Sequence, residues 1–416
     1  MKNTQEFLYS LRNQGSKFGI ERMALLCREL GNPQHSFPSI HVAGTNGKGS
    51  VCTMLDSIYR ANDYRVGLFT SPHLIELGER IRINGKNLPF SRIEEWTEKL
   101  RPIIQKLEKT EDGRGPTFFE LITAMAFLEF QRQKVDLAII ETGLGGRLDS
   151  TNVINPELSI ITTVGFDHCE ILGNTLSEIA SEKAGIIKEG RPVVVGWLEK
   201  EAREEVFRVA SQKNAEVHDM EGIKDIHLPV TNLTGSYQRK NAALAQRAVE
   251  ILDRKFPVAG TKVSHALQAV EFPGRWQTIS SHPLIIVDAC HNGQGARASE
   301  ELWDQLPDGF QVWFGACGED RAREVLPPLL ERTKYITLFE IDQPRACTHQ
   351  DLQKIGENFT GTVKFAHEQE IPKLCKKLDP KSTVLVTGSI YLVAAMLSRM
   401  KDSGNFPVSR NWQDYW

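Results

Sequence analysis

The sequence predicts an α/β protein of two domains, a mostly parallel sheet over residues 1–270 and a smaller α/β domain over residues 271–416. Three observations predict it. Short apolar runs rich in β-branched residues alternate with segments of helical spacing, the pattern of a parallel sheet covered by helices on both faces. A glycine-rich stretch, HVAGTNGKGSV at 41–51, separates the first such run from an amphipathic segment. A chain of 416 residues is also longer than one core ordinarily organises.

In chain order, the expected strands of the first domain are SIHVAG (39–44), RVGLFTS (65–71), VDLAIIE (135–141), LSIITTV (158–164) and RPVVVG (191–196). Between them, Val51, Met54, Leu55 and Ile58 follow the i, i+3, i+4, i+7 spacing of a helix with one buried stripe. TFFELITAMAFLEF opens with Thr117 and Glu120 at capping-box spacing and continues as an apolar helix. Residues 215–240 read as irregular or as short strands, ahead of a helix in QRKNAALAQRAVEIL. The proline and glycine of EFPGR (271–275) mark the passage to the second domain. Its expected strands lie in PLIIVDACHN (283–292), FQVWFGACGED (310–320), YITLFEI (335–341) and STVLVTGS (382–389). Strands alternating with helices make this domain Rossmann-like.

Composition excludes several functions. Hydrophobic residues make up 40%, charged residues 25%, and the formal charge is −3, without the basic excess of a nucleic-acid surface. Seven cysteines, odd in number and without a CxxC pair, argue against a disulfide framework or a zinc ribbon. The first 15 residues lack an apolar core of signal-peptide length, and no apolar run approaches the roughly 20 residues that span a bilayer. A cytoplasmic protein with neither nucleic-acid nor membrane partner is the expectation. There is no GxSxG or HExxH, and GLGGR is not the dinucleotide GxGxxG.

In open parallel sheets ligands bind beyond the carboxyl ends of the strands, and polar residues collect there. The first strand ends in Gly44-Thr45-Asn46-Gly47-Lys48-Gly49-Ser50, the second in Ser71-Pro72-His73, the third in Glu141, and the fourth runs into Asp167-His168. The glycine stretch departs from GxxxxGK[ST], with Val at 42 and Gly49 between Lys48 and Ser50. Strand, glycine turn, lysine and helix nonetheless follow in P-loop order, so Lys48 is placed to neutralise phosphates and Ser50 to offer a hydroxyl to Mg²⁺. A plain strand-to-helix turn is the alternative. Glu141 at a strand tip is placed to hold Mg²⁺, or is simply solvated. Ser71 reads equally as a turn hydroxyl, and a lone histidine such as His168 is more often structural than a ligand. Their shared sheet edge is what favours a site. Lys183, on a helical segment, reads from spacing alone as a solvated charge. Asp288 and His291 end a strand of the second domain, with structural and functional readings evenly balanced.

Taken together, HVAGTNGKGSV, LFTSPHL, ERIRINGK, ETGLGGRLDSTN, SEKAGIIK, FPGRWQ and DACHNG resemble folylpolyglutamate synthase and dihydrofolate synthase of the Mur ligase superfamily, in order from about residue 18 to 294. The resemblance implies a Mur-ligase-like ATP-binding central domain and a Mur-ligase-like C-terminal domain. It implies an enzyme in which ATP phosphorylates a substrate carboxylate and the amine of L-glutamate displaces phosphate. Gly44, Thr45, Asn46, Gly47, Lys48, Gly49 and Ser50 are then the phosphate loop, and Ser50, Ser71, Glu141 and His168 the magnesium ligands. Lys183 matches a lysine carried as a carbamate, and a monovalent cation is a further candidate cofactor. Gln238, Asn241, Arg275 and Asp288 match nucleotide-side residues. Asp288 and His291 match second-domain residues that close over the nucleotide and substrates. With Lys48, Lys183 and His168 they form the catalytic candidates.

The implied partners are small molecules, ATP, L-glutamate and a folate or dihydropteroate acceptor, handled by a monomer. The chain has Tyr237-Gln238 where the family usually has His-Gln, and His291-Asn292-Gly293 where it has His-Asn-Pro. NQGSKFGIERM (13–23) is briefer than the pterin-side segment common in bifunctional members, which leaves dihydropteroate open as an acceptor. Two other readings stand beside this one: a Mur-type ligase acting on another carboxylate, and a nucleotide-binding module that makes no bond.

Overall fold

The computed structural model describes residues 4–12, 19–109 and 115–402. The segment 13–18, to which the short N-terminal reading applies, lies outside them. Two compact units divide between Val270 and Glu271, and the short segments Leu74–Glu76 and Leu233–Tyr237 belong with the second unit.

The first unit is built on an eight-stranded sheet: β1 (Ser39–Ala43), β2 (Val66–Phe69), β3 (Ile81–Ile83), β4 (Lys86–Asn87), β5 (Leu137–Glu141), β6 (Leu158–Ile161), β7 (Val193–Val195) and β8 (Val217–Asp219). Their spatial order is β4-β3-β2-β5-β1-β6-β7-β8. β1 lies between β5 and β6 in parallel register, with Val42 opposite Glu141 on one side and Ile160 on the other. Every residue of β1, β2, β5, β6 and β7 is buried, which is why these strands read as unbroken apolar runs. β3 and β4 add an antiparallel hairpin beside β2. Its turn is Asn84-Gly85, both at positive φ (50° and 74°), the conformation a two-residue hairpin loop demands.

Helices follow the expected segments. The Lys48–Ala61 helix buries an almost continuous run from Ser50 to Tyr59. The Phe118–Gln133 helix begins with the capping box anticipated at Thr117 and Glu120. Its Phe127 and Phe130 join a core that includes Phe37 and Phe69. The Leu176–Ala184 helix has its own box, Thr175 with Glu178, and the helix expected in QRKNAALAQRAVEIL spans Ser236–Leu252.

The second unit holds a six-stranded sheet: β9 (Gln277–Ser281), β10 (Leu284–Val287), β11 (Gln311–Phe314), β12 (Tyr335–Glu340), β13 (Thr362–His367) and β14 (Thr383–Thr387), ordered β13-β12-β11-β14-β10-β9. Only β9 runs antiparallel. Among the described residues no helix is long and apolar enough to cross a membrane.

Candidate active site

The phosphate-loop segment leaves the carboxyl end of β1 and is strapped to the chain that continues β6. Thr45 N–H donates to Thr163 O (2.8 Å), Asn46 N–H to Thr163 Oγ1 (2.9 Å), and the Thr162 hydroxyl to Asn46 O (2.6 Å). The Thr45 hydroxyl donates to Gly165 O (3.1 Å). A Cβ on Gly44 would stand 1.9 Å from Thr162 Oγ1, so only glycine lets the loop lie against this strap. Sequence reasoning missed Thr162 and Thr163 because they act from a different strand 117 or so positions away. β6 itself stops at Ile161, so Asp167 and His168 lie beyond the strap and not at the strand tip.

Gly47 caps the Lys48–Ala61 helix in the left-handed region (φ 83°), with no side-chain hydrogen bond to the first amides. Its α-carbon faces Asn241, whose Oδ1 would be 2.4 Å from an added Cβ. Asn241 Nδ2 in turn donates to Gln238 Oε1 (3.0 Å), so both predicted nucleotide-side residues of this unit sit against the loop. Lys48 is the first residue of the helix, and its ammonium folds back to donate to Gly44 O (2.8 Å) and Thr45 O (3.1 Å). Ser50 is buried in the first turn of the helix.

Glu141 is buried at the end of β5, and its Oε2 accepts Ser71 N–H at 3.0 Å. The Ser71–Pro72 peptide is cis. His168 adopts φ 54° at the start of the short Cys169–Leu172 helix, its ring nitrogens 3.9 Å from Asp167 Oδ1 and 3.8 Å from Glu170 Oε1.

The largest departure from the reading by spacing is Lys183. It is 2% exposed, not a solvated helix charge. Burial lowers its ammonium from 10.5 to about 7; the Lys48 charge adds to this and the Asp167 carboxylate opposes it. On the other side, the buried Cys52 thiol is raised by burial and by Glu141, with Lys48 opposing. Lys48 therefore shares an electrostatic neighbourhood with Glu141 through Cys52, with Lys183 directly, and with Asp167 through Lys183. Residues scattered over positions 44–183 meet at one edge of the sheet. Among the described residues no three His, Cys, Asp or Glu side chains form a metal-binding group by themselves.

Arg275, Asp288 and His291 fall in the second unit. Asp288 follows β10, is 2% exposed, and accepts Trp276 N–H on Oδ1 (3.3 Å). Its Oδ2 has no hydrogen-bond partner among the described residues. Burial raises this carboxyl above its ordinary value, with Arg275 opposing. Trp276 holds φ 42°, a left-handed conformation unusual for a bulky side chain, where the FPGRW turn meets Asp288. His291 Nδ1–H donates to Ala289 O (2.9 Å). Asn292 caps the Gly293–Trp303 helix by accepting Gly295 N–H (2.8 Å).

A strand, a glycine loop closed by lysine, and a carboxylate on the adjoining strand make a phosphate-loop type of site, and residues 42–263 match the Mur ligase middle domain, which puts the chain among the Mur-type, ATP-dependent ligases. The chain is 35% identical to dihydrofolate synthase/folylpolyglutamate synthase of Bacillus subtilis, over 96% of this chain and 99% of that one. It is 38% identical to the dihydrofolate synthetase of Saccharomyces cerevisiae, over 92% of this chain and 97% of the yeast protein. The structure superposes on E. coli FolC in complex with DHPP and ADP with a TM-score of 0.84 at 28% identity, covering 97% and 99% of the two chains. The chain belongs to the folylpolyglutamate synthase/dihydrofolate synthase family.

Proposed function

We propose that this protein joins L-glutamate to the carboxylate of a folate by way of an acyl phosphate made from ATP. The observation that carries the proposal is the meeting of an uncapped phosphate loop, the Lys48 ammonium, the buried Glu141 carboxylate and the buried Lys183 amine in one unit. A carboxylate cannot expel oxide, so it is first phosphorylated; a carboxylate oxygen attacks the γ-phosphorus and ADP departs. The amine of glutamate then attacks the acyl carbon, phosphate leaves, and the amine loses a proton.

In this reading Gly44 to Ser50 cradle the phosphates, and Lys48 exchanges its carbonyl partners for phosphoryl oxygens as charge develops. The donor set fits Mg²⁺, a hard ion bound through one or two carboxylates plus phosphate oxygens: Glu141 is oriented by the Ser71 amide, and Ser50, Ser71 and His168 are assigned as its fellow ligands. When bound, the ion neutralises phosphate charge. Lys183, with its amine of lowered basicity, is suited to carry a carbamate that orients this region. Gln238, Asn241, Arg275 and Asp288 are assigned to the nucleotide, and Asp288 and His291 also to the reacting groups; the partnerless Oδ2 of Asp288 supports this.

A second acceptor, dihydropteroate, is favoured by the family's dihydrofolate synthases. One assay tests both. Purified protein with ATP, Mg²⁺ and L-glutamate is given tetrahydrofolate or dihydropteroate, and ADP and the glutamylated product are measured. Glutamate-dependent product from tetrahydrofolate is expected. ADP release that needs neither acceptor nor glutamate overturns the proposal.

A further inference from the structure

A buried hydrogen-bond chain leaves the phosphate-loop strand in the opposite direction from the loop itself. His41, at the centre of β1, is 0% exposed, and its Nε2 lies 2.8 Å from Thr151 Oγ1. The Thr151 hydroxyl also contacts Asp149 Oδ1, which accepts Thr151 N–H (2.9 Å) as well, while Asp149 Oδ2 accepts Leu144 N–H (2.8 Å). Both carboxylate oxygens are thus acceptors of backbone amides. The threonine hydroxyl donates a hydrogen bond to the carboxylate and so accepts one from His41, which sets the imidazole as its Nε2–H tautomer. Burial, with the Lys188 charge adding to it, lowers His41 to about 3, so the ring stays neutral.

What this chain holds is the loop between Glu141 and Asn152. Asp149 closes it by gathering its amides. The loop then lies on the end of the Lys183 helix: Arg147 N–H donates to Glu182 O (2.7 Å), and a Cβ on Gly146 would stand 2.8 Å from the carbonyl oxygens of Glu182 and Lys183. Lys188 Nζ donates to Asn152 O (2.9 Å) and Asn152 Nδ2 to Gly185 O (3.0 Å), tying the other end to the same region. The phosphate loop is secured separately, by Thr162, Thr163 and Gly165.

We infer that His41 is a positioning residue for the ligase reaction, setting the Thr142–Asn152 loop and the Lys183 turn beneath it in register with the phosphate-loop strand. The inference rests on the ligase reading. Because the phosphate loop has its own strap, losing His41 should spare nucleotide binding and harm turnover. Residues that orient a reacting shell commonly matter by 10- to 100-fold.

The test compares His41→Met, which keeps bulk without a donor, with His41→Gln, whose amide restores an N–H near the Nε2 position. Expected for His41→Met are a fall in kcat of about tenfold or more and ADP affinity within about threefold of wild type. His41→Gln should recover most of the loss. Hydrogen exchange should quicken at the Leu144 and Thr151 amides in the Met variant and not at Thr45 or Asn46, a readout that needs no turnover. Should the His41 variants fail to fold by circular dichroism, Thr151→Val cuts the same chain at nearly constant volume and should show the same split. A wild type without product sinks the ligase reading and leaves the exchange result to decide the positioning. An active wild type with unchanged kcat and exchange in the Met variant, or equal losses in Met and Gln, overturns the inference about His41 alone.

Discussion

Replacing Lys183 by methionine should make the protein more stable and inactive. The amine is lowered from 10.5 to about 7 by burial beside Lys48. At about 1.4 kcal/mol for each tenfold change in equilibrium, holding it protonated in the folded state costs on the order of 5 kcal/mol. The sign follows from proton binding. Between pH 7 and 10.5 the unfolded chain holds a proton on this amine that the folded chain has lost, so wild-type stability rises with pH through that window. Below pH 7 both states are protonated and the whole penalty stands; above 10.5 both are neutral and it vanishes. Methionine fills a similar volume and does not titrate. The advantage of Lys183→Met is therefore ~5 kcal/mol at pH 6.5, ~3 kcal/mol at pH 8 and close to nothing at pH 10.5.

Thermal denaturation at those three pH values reads this directly, with a gain of roughly 10 °C at pH 6.5 for a unit of this size. Glutamate-dependent ADP release measured in parallel should be lost. The same lowered basicity explains why this lysine is suited to take up carbon dioxide, since at pH 7.5 about three quarters of it is neutral, against about one in a thousand for a solvated lysine. Lys183→Ala should accordingly regain part of its activity from added short carboxylates. A methionine variant that melts below wild type at pH 6.5, or whose advantage does not shrink with rising pH, refutes the reasoning.

Lys48→Ala removes the cation that rests on Gly44 O and Thr45 O, and glutamate-dependent ADP release should fall by about 10³ or more; near-normal turnover counts against the site. Gly44→Ala forces a Cβ to 1.9 Å from Thr162 Oγ1, so ADP affinity measured by calorimetry should drop more than about tenfold, whereas Gly260→Ala, with nothing within 4 Å, should leave it unchanged. Equal affinities in the two glycine variants would mean the Thr162 strap does not shape the loop.

The central strands were legible because they are buried on both faces and therefore spell continuous apolar runs. β1, β2, β5, β6 and β7 all lie within segments read as strands, and so do β10, β11, β12 and β14. The strands not spelled out as apolar runs are the edge strands β4, β8, β9 and β13, with β3 next to an edge. β13 exposes four of its six residues, β9 alternates without a run, and β3 and β4 are three and two residues long. For the hairpin the signal is present in the sequence: Asn84-Gly85 is a strong two-residue turn pair. The capping box at Thr117 was legible because it is local, its donors and acceptors lying three positions apart.

The site divides along the same line. Strand tips could be located from hydrophobic pattern alone, and Glu141 and the phosphate-loop segment came with them. What surrounds a residue from other strands could not, and this is why Lys183 read as solvated and His41 as an unremarked strand residue. Thr162 and Thr163 follow an apolar strand and look like its continuation; only the parallel register of β6 on β1 turns their hydroxyls into a strap.

That strap bears on why the loop tolerates its departure from GxxxxGK[ST]. The helices that begin at Phe118 and Leu176 close their first turns with threonine boxes, each worth about 1 kcal/mol. The Lys48 helix begins instead on Gly47, without a side-chain cap, at the spot where Lys48 folds over the loop carbonyls. Its first amides are thus left for another acceptor, and the positive end of the helix dipole favours an anion there. An uncapped turn would ordinarily fray, yet here the loop is pinned from outside by Thr162, Thr163 and Gly165 on one flank and by Asn241 on the other. With its shape fixed by neighbouring strands and helices, the loop does not need the usual lysine-to-hydroxyl spacing to hold itself together. Gly49 can therefore stand between Lys48 and Ser50, while the amides remain arranged for a phosphate to complete the cap.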